Sequence, residues 1–357
     1  MLNNKYKTIT EITDERKVYV DATTPQEIWK DVVAKDADSM KELCVAMSKL
    51  VYEVGVPKFL VHFGAKVLYN LVYRWWGHYV DESNYLASKC ENMSASLMAF
   101  LQRQYTLAHM GCSVVMIWDE QTEQMVCFRS LDWKGADDIA KSTRRFSFVN
   151  KDDKEIAQIA GVTAMVGVLT GAKKGFSVAI NYAPWKRSAK LKSDPTFLIR
   201  QLLEDENITT YKQALKNVRA WQIGSPCFIS ICGVEKGEAC VVELGSDNVF
   251  VREIGTKNFL IQTNHYDLET SPFTQHNEEP YTKDMNELEW YESELLQNSQ
   301  QREKLFKKRL QEDSSLSMKD KLISLYKEVP IMNYETAQWV YMQPKSGIID
   351  IYACIDK

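Results

Sequence analysis

The sequence predicts an α+β fold in which a helical leading segment, residues 1–111, precedes a strand-rich domain, residues 112–357. Three observations carry the prediction. Apolar residues recur at three- and four-residue intervals up to about residue 110, which is the helical period. From Cys112 onward the period falls to two, that of a strand. And 45% of the 357 residues are hydrophobic while Gly numbers only 15 and Pro 9, which supports a sizeable core and excludes disordered, collagen-like and low-complexity chains. The 44 Lys+Arg against 48 Asp+Glu leave a formal net charge of −4. Such a balance gives no support to nucleic acid as a partner, because counterion release needs a basic surface.

Taken in order, TTPQEIWKDVV offers a Thr N-cap followed by Pro in the first turn, and Lys41–Val54 and Met93–Ala108 repeat apolar residues on one helical face. Between them Val56–Val80 is long enough to span a bilayer, but Lys58, Lys66 and Arg74 interrupt it and argue against crossing. It is expected as a large, mostly buried helix. The alternative is a helix lying on a membrane surface, with Trp75, Trp76 and Tyr79 at the interface and its cations near phosphates. Beyond Cys112, the runs CSVVMIW, QMVCFRSLDW, FSVAINY, CFISICGV, ACVVEL, NVFVREI and NFLIQTN are β-branched and aromatic, divided by turn-like pieces. Helices are expected at Thr196–Glu204, Thr210–Val218, Asn286–Gln311 and Met318–Glu328, and two final strands joined at PKSG within Ala337–Ile355.

The 8 cysteines are dispersed without a CxxC, so neither a disulfide scaffold nor a structural zinc is expected. Cys227 and Cys232 lie five apart, an odd number, so one strand points them to opposite faces and denies them a shared metal. No cofactor is called for. The amino-terminal stretch has no apolar h-region, and the expected location is cytoplasmic, or exported without a cleaved signal peptide.

Chemistry gathers at the first hairpin. If Trp118 pairs with Met125 across the polar DEQTEQ loop, Cys112 falls opposite Leu131 and Arg129 becomes its same-face diagonal neighbour. Asp132 stands one position past that pair. A fixed positive charge lowers a thiol's pKa, and a thiolate attacks carbonyl carbon. With only 5 His in the chain, and His109 alone near Cys112, the base is unconventional. Scission of the Gly111–Cys112 bond would free an α-amine able to serve as one. Spacing alone leaves a second reading open, a core cysteine beside a structural Arg–Asp pair.

C-S-V-V with R-S-L-D-W 17 residues on resembles the cysteine N-terminal-nucleophile amidases of the acid ceramidase, N-acylethanolamine acid amidase and choloylglycine hydrolase group. The likeness continues through VGVLTGAKKGFSVAINYAP, through TFLIRQLLEDENITTYKQALKNV and the following strand pair, and through FLIQTNHYD, which is similar to the group's Thr-Asn-Tyr-Asp signature. YVDATTPQEIW and QRQYTLAHMGC resemble the start and end of the ceramidase-type pro-region.

The resemblance implies a four-layer αββα sandwich of two mainly antiparallel sheets behind a helical pro-segment of residues 1–111. It implies that Cys112 is the nucleophile and, once freed, its own base. Arg129 and Asp132 would support thiolate and amine, and Asn264 would donate to an oxyanion. Asn181 or Tyr182 would supply a second, backbone donor, with Trp133 beside the substrate. Arg302, the first Arg after Asn264, takes the role of the group's helical arginine, although the interval of 38 residues is longer than the group's and implies an insertion at about 268–300. Phe59, Phe63, Tyr69, Trp75 and Trp76 are expected to line an acyl channel. The implied function is hydrolysis of a fatty-acyl amide, a ceramide or an N-acylethanolamine, by self-cleaved chains that stay associated. Alternatives are a bile-acid or penicillin V amidase, and a non-catalytic lipid-binding protein of the same fold.

Overall fold

A computed structural model of the chain describes residues 7–52, 57–77, 79–91, 93–103, 110–184, 192–245, 247–278 and 286–357. The leading segment departs from the expected all-helical pattern at its start. Lys7–Ile12 (β1) and Glu15–Tyr19 (β2) are strands, and helices follow only at Pro25–Ile28 (α1), Lys30–Tyr52 (α2), Lys58–Trp76 (α3), Tyr79–Lys89 (α4) and Ala95–Gln102 (α5). Six- and five-residue stretches are too short for period to settle, and their partners lie far along the chain. The Thr24 N-cap holds: its hydroxyl accepts from the Glu27 N–H, with Pro25 next in the first turn.

The strand-rich part runs β3 (Met110–Asp119), β4 (Gln124–Trp133), α6 (Ala136–Lys141), β5 (Thr143–Val149), β6 (Glu155–Val162), β7 (Thr170–Lys173) and β8 (Phe176–Tyr182). Then come α7 (Pro195–Glu204), α8 (Tyr211–Arg219), β9 (Cys227–Cys232), β10 (Ala239–Leu244), β11 (Val249–Glu253) and β12 (Phe259–Gln262). A 3₁₀ turn at Thr274–Glu278 precedes α9 (Asn286–Leu310), α10 (Met318–Tyr326), β13 (Thr336–Gln343) and β14 (Ile348–Asp356).

Two sheets stack. One has the order β1-β14-β13-β4-β3-β12, the other β11-β10-β9-β8-β7-β6-β5-β2. All pairings are antiparallel except β2 with β5. Strand alternation then makes three apolar layers. Val114, Met116, Ala179 and Val241 fill the space between the sheets. Val115, Ile117 and Phe128, one residue out of phase, pack under Phe306 of α9 and Leu325 and Tyr326 of α10. Phe148, Ile159 and Val178 pack under Leu203 of α7, Val218 of α8 and the leading helices. The result is the expected αββα sandwich. Cys227 and Cys232 fall in different layers, as their odd spacing requires.

The leading segment is tied to the sandwich by a buried ion cluster. Arg200 of α7 donates to Glu82 of α4 at 2.8 and 3.1 Å and to Glu204 at 2.7 Å, while Trp29 Nε1 donates to Glu82 at 2.6 Å. By contrast α3 is not the mostly buried helix expected. Its Phe59 (69% exposed), Leu60, Phe63 (66%), Val67 and Leu71 stand in solvent, so Phe59 and Phe63 line no interior channel. The reason is geometric: the opposite face, through Ala65 and Tyr69, packs on the body, and the stripe at 59, 63 and 67 is left exposed among the described residues. The side chains of Trp75 and Trp76 lie outside the described residues.

Candidate active site

The β3–β4 hairpin forms in the register that its ends imply: Trp118 opposite Met125, Cys112 opposite Leu131, Gly111 opposite Asp132. Arg129 and Asp132 are three residues apart, so β4 sends them to opposite faces. Arg129 lies on the thiol's face, with Nη2 3.4 Å from Cys112 Sγ and 3.3 Å from the Ile180 carbonyl oxygen. Asp132 lies on the face toward α9, against the backbone of Gly111. A Cβ placed on Gly111 would come within 2.9 Å of Asp132 Cβ and 3.1 Å of its Oδ2, so the close approach requires glycine. Thr336 Oγ1 donates to Asp132 Oδ1 at 2.8 Å.

Asn264 and Arg302 reach the backbone of Cys112 from the loop after β12 and from α9. The Cys112 N–H donates to Asn264 Oδ1 at 2.8 Å, and Arg302 Nη2 donates to that oxygen at 2.8 Å. Arg302 Nη1 donates to the Cys112 carbonyl oxygen at 2.6 Å and to Ser113 Oγ at 2.7 Å. These contacts orient the Asn264 amide, leaving Nδ2 to donate to the Tyr182 carbonyl oxygen at 3.2 Å. The long interval before Arg302 is therefore no obstacle, because α9 runs back across the outer face of the six-stranded sheet and delivers it. Asn181 acts through its side chain, donating to the Gln262 and Thr263 carbonyls at 3.0 and 3.1 Å and joining β8 to the end of β12. Trp133 is packed in the core, its backbone N–H donating to the Glu335 carbonyl oxygen at 2.7 Å. His109 lies outside the described residues.

Sequence reasoning missed the groups behind Asn264. Ser299 Oγ accepts from the Asn264 N–H at 2.7 Å and donates to Thr263 Oγ1 at 2.9 Å. His265 Nδ1 lies 2.8 Å from Ser299 Oγ and its Nε2 3.1 Å from Glu303 Oε2. Asn298, Ser299, Arg302 and Glu303 occupy one face of α9 at i, i+1, i+4 and i+5; that spacing, together with the extra His in TNHYD, was the available signal. On the other side of the Asn264 loop, Ser271 Oγ donates to the buried Glu243 Oε2 at 2.5 Å.

Burial governs the electrostatics. It pushes the Cys112 thiol up, and the neighbouring Asp132 charge adds to that, against the pull of Arg129 and Arg302. It also pushes the Asp132 carboxyl up, against Arg302 and Thr336, and lowers Arg302. Burial alone would raise Glu303, yet hydrogen bonds from His265 and Lys307 bring it to about 2. Glu243 is pushed up by burial, against Ser271 and Arg252, to about 7. The Cys112 thiol has no exposed surface. Arg129 Nε and Nη1 and Asp132 Oδ2 are buried with no hydrogen-bond partner, an arrangement that costs stability and that function explains better than folding does. Among the described residues no group of His, Cys, Asp and Glu is arranged to hold a metal ion.

The profile of the acyl-coenzyme A:6-aminopenicillanic acid acyl-transferase family matches residues 107–345. The chain is 27% identical over 157 residues to an acid ceramidase of Balaenoptera acutorostrata scammoni, a match that covers 40% of this chain and 39% of that protein. It is 26% identical over 172 residues to an N-acylethanolamine-hydrolyzing acid amidase of Caenorhabditis elegans, covering 43% and 46%. The chain thus spans less than half the length of these curated relatives. A solved structure of a C. elegans N-acylethanolamine-hydrolyzing acid amidase ortholog is similar with a TM-score of 0.50 at 19% identity, covering 66% of this chain and 93% of that one, and shares the fold.

Proposed function

The chain belongs to the acyl-coenzyme A:6-aminopenicillanic acid acyl-transferase family, within the cysteine N-terminal-nucleophile hydrolases, and from that premise we propose that it is a self-cleaving amidase for fatty-acyl lipids. The observation that carries this reading is the enclosure of one residue, Cys112, at its junction with Gly111. Arg129 is on the sulfur of Cys112, Asn264 on its nitrogen, Arg302 on its carbonyl, and Asp132 against Gly111.

In the intact chain the Cys112 sulfur attacks the Gly111 carbonyl carbon, and its proton passes to the departing nitrogen. Asp132 Oδ2, unpartnered and beside that peptide, is the group placed to carry the proton. The C–N bond breaks as the C–S bond forms, giving a thioester and a free α-amine. Water then adds to the thioester carbon, the C–S bond breaks, and the products are a piece ending in the Gly111 carboxylate and one, residues 112–357, beginning at Cys112. The new ammonium gains Asp132 as a charge-assisted partner and keeps Asn264 Oδ1.

On substrate, the amine accepts the thiol proton, the thiolate attacks the amide carbon, and Arg129 holds the sulfur's charge. Asn264 Nδ2 and a backbone N–H at Asn181 or Tyr182 receive the oxyanion, the kind of interaction worth roughly 3–4 kcal/mol per donor. The ammonium returns its proton to the leaving amine, and water releases the acyl group from sulfur.

A ceramide or an N-acylethanolamine is the substrate we assign. The names of the similar proteins support it. A lipid surface is the partner we assign to α3: the exposed stripe Phe59, Phe63 and Val67 runs beside Lys58 and Lys66, about two turns apart. No described helix is long and apolar enough to cross a membrane.

Time-resolved intact masses test the reading. Wild type should yield pieces ending at Gly111 and starting at Cys112, and Cys112→Ala should stay whole. Cleaved wild type should then hydrolyse palmitoyl-ethanolamide or ceramide in preference to glycocholate. Equal hydrolysis by Cys112→Ala would overturn the mechanism, and preference for glycocholate the substrate.

A further inference from the structure

Two thiols that the active site does not use face each other in the leading segment. Cys44, midway along α2, and Cys90, at the turn between α4 and α5, are both free and buried, at 4% and 6% exposure, with their sulfurs 3.2 Å apart. A disulfide needs about 2.05 Å between sulfurs, so the pair has roughly 1 Å to close. Lys41, one turn before Cys44, puts a positive charge near Cys90. The pair brackets α3, the exposed helix, in the sequence.

We propose that Cys44 and Cys90 form a reversible disulfide when a peroxide reaches them, clasping α2 to the α4–α5 turn at the base of the excursion that carries α3. Cys90 is the attacking sulfur. The hydrogen bond from Cys44 lowers its pKa, against burial, and the Lys41 charge adds to the effect. Its thiolate attacks one peroxide oxygen, the S–O bond forms, the O–O bond breaks, and hydroxide leaves and takes up a proton. Cys44 then attacks the sulfenic sulfur, the S–S bond forms, the S–O bond breaks, and water leaves with the Cys44 proton. Two thiols lose two electrons to one peroxide, and a dithiol reductant reverses the step. The link closes a span of 46 residues, which restricts the unfolded chain and removes independent motion of the two helices that anchor α3.

The test uses the full chain treated with hydrogen peroxide, alkylated and mapped by peptide mass. The expected product is a cross-linked peptide pair containing Cys44 and Cys90, about 2 Da lighter than the two thiol peptides together. Dithiothreitol should separate it, and the melting temperature should rise by a few degrees and return on reduction. In Cys44→Ser, Cys90 should stop at the sulfenic acid and be trapped by dimedone. The inference fails if peroxide-treated wild type still alkylates at both Cys44 and Cys90, or if Cys90 goes on to sulfinic acid with Cys44 untouched. Neither result depends on a variant folding or on any amidase activity.

Discussion

The proposed mechanism concentrates its chemistry into two adjacent residues, Cys112 and Gly111, and each is constrained by a different neighbour. The thiol's constraint was legible. A hairpin is local, its loop and hydrophobic ends fix one register, and Arg129 followed as the diagonal neighbour of Cys112. The role of Asp132 was only half legible, because position in sequence gave its nearness but not the object it faces. An odd spacing from Arg129 turns it toward Gly111 and α9 instead of the sulfur. Gly111→Ala tests this directly. The added Cβ would sit 2.9 Å from Asp132 Cβ, so the carboxylate must shift from the scissile peptide. Self-cleavage should slow about 100-fold, the lower end of what a positioned acid–base group contributes. Cleavage at the wild-type rate, followed by intact mass, would remove Asp132 from the proposed mechanism.

The helix α9 is the element through which distant sequence enters the site. Its strands-to-helix return brings Arg302 to the Cys112 carbonyl, and the His265–Glu303 contact clips it to the end of β12. None of this is visible in spacing alone, since residues separated by 34 to 38 positions meet only when the outer helical layer is laid down. Glu303 gives a pH signature. Its carboxyl titrates at about 2 in the folded protein, below the roughly 4.3 of an unfolded Glu. A depressed pKa contributes stability that is complete above the unfolded value and lost as pH falls from about 4.3 toward 2. Its size is on the order of 3 kcal/mol. Glu303→Gln should therefore lower stability at neutral pH and flatten the acid limb of the denaturation profile. An unchanged acid limb, measured by urea midpoints, would mean the clip is not formed.

Across the whole molecule, Glu243 and Glu303 respond to protons in opposite senses. Glu243 on β10 meets Ser271 beyond β12, so it bridges one sheet to the loop leaving the other. Its raised value, about 7, means the folded state favours the protonated form, and stability falls as pH rises from about 4.3 to 7. With Glu303 acting below that window, thermal stability should peak in mildly acidic buffer. Glu243→Gln should lift the melting temperature at pH near 8 relative to wild type, and no gain there would contradict the assignment. The strand-rich half was legible from its period, but the layered architecture only through the family resemblance, because β4, β8, β9 and β10 are buried on both faces. The two amino-terminal strands were not legible, for β1 and β2 pair with β14 and β5, partners that sequence order hides. Those two strands stitch the rims of both sheets with a single short ribbon. If the backbone is severed at Gly111, that stitch belongs to one molecule and the cloth to another. Renaturation then becomes a second-order encounter, and the thermal midpoint of the processed protein should climb with dilution reversed, higher in concentrated samples than in dilute ones, whereas the unprocessed Cys112→Ala chain should melt at one temperature whatever its concentration.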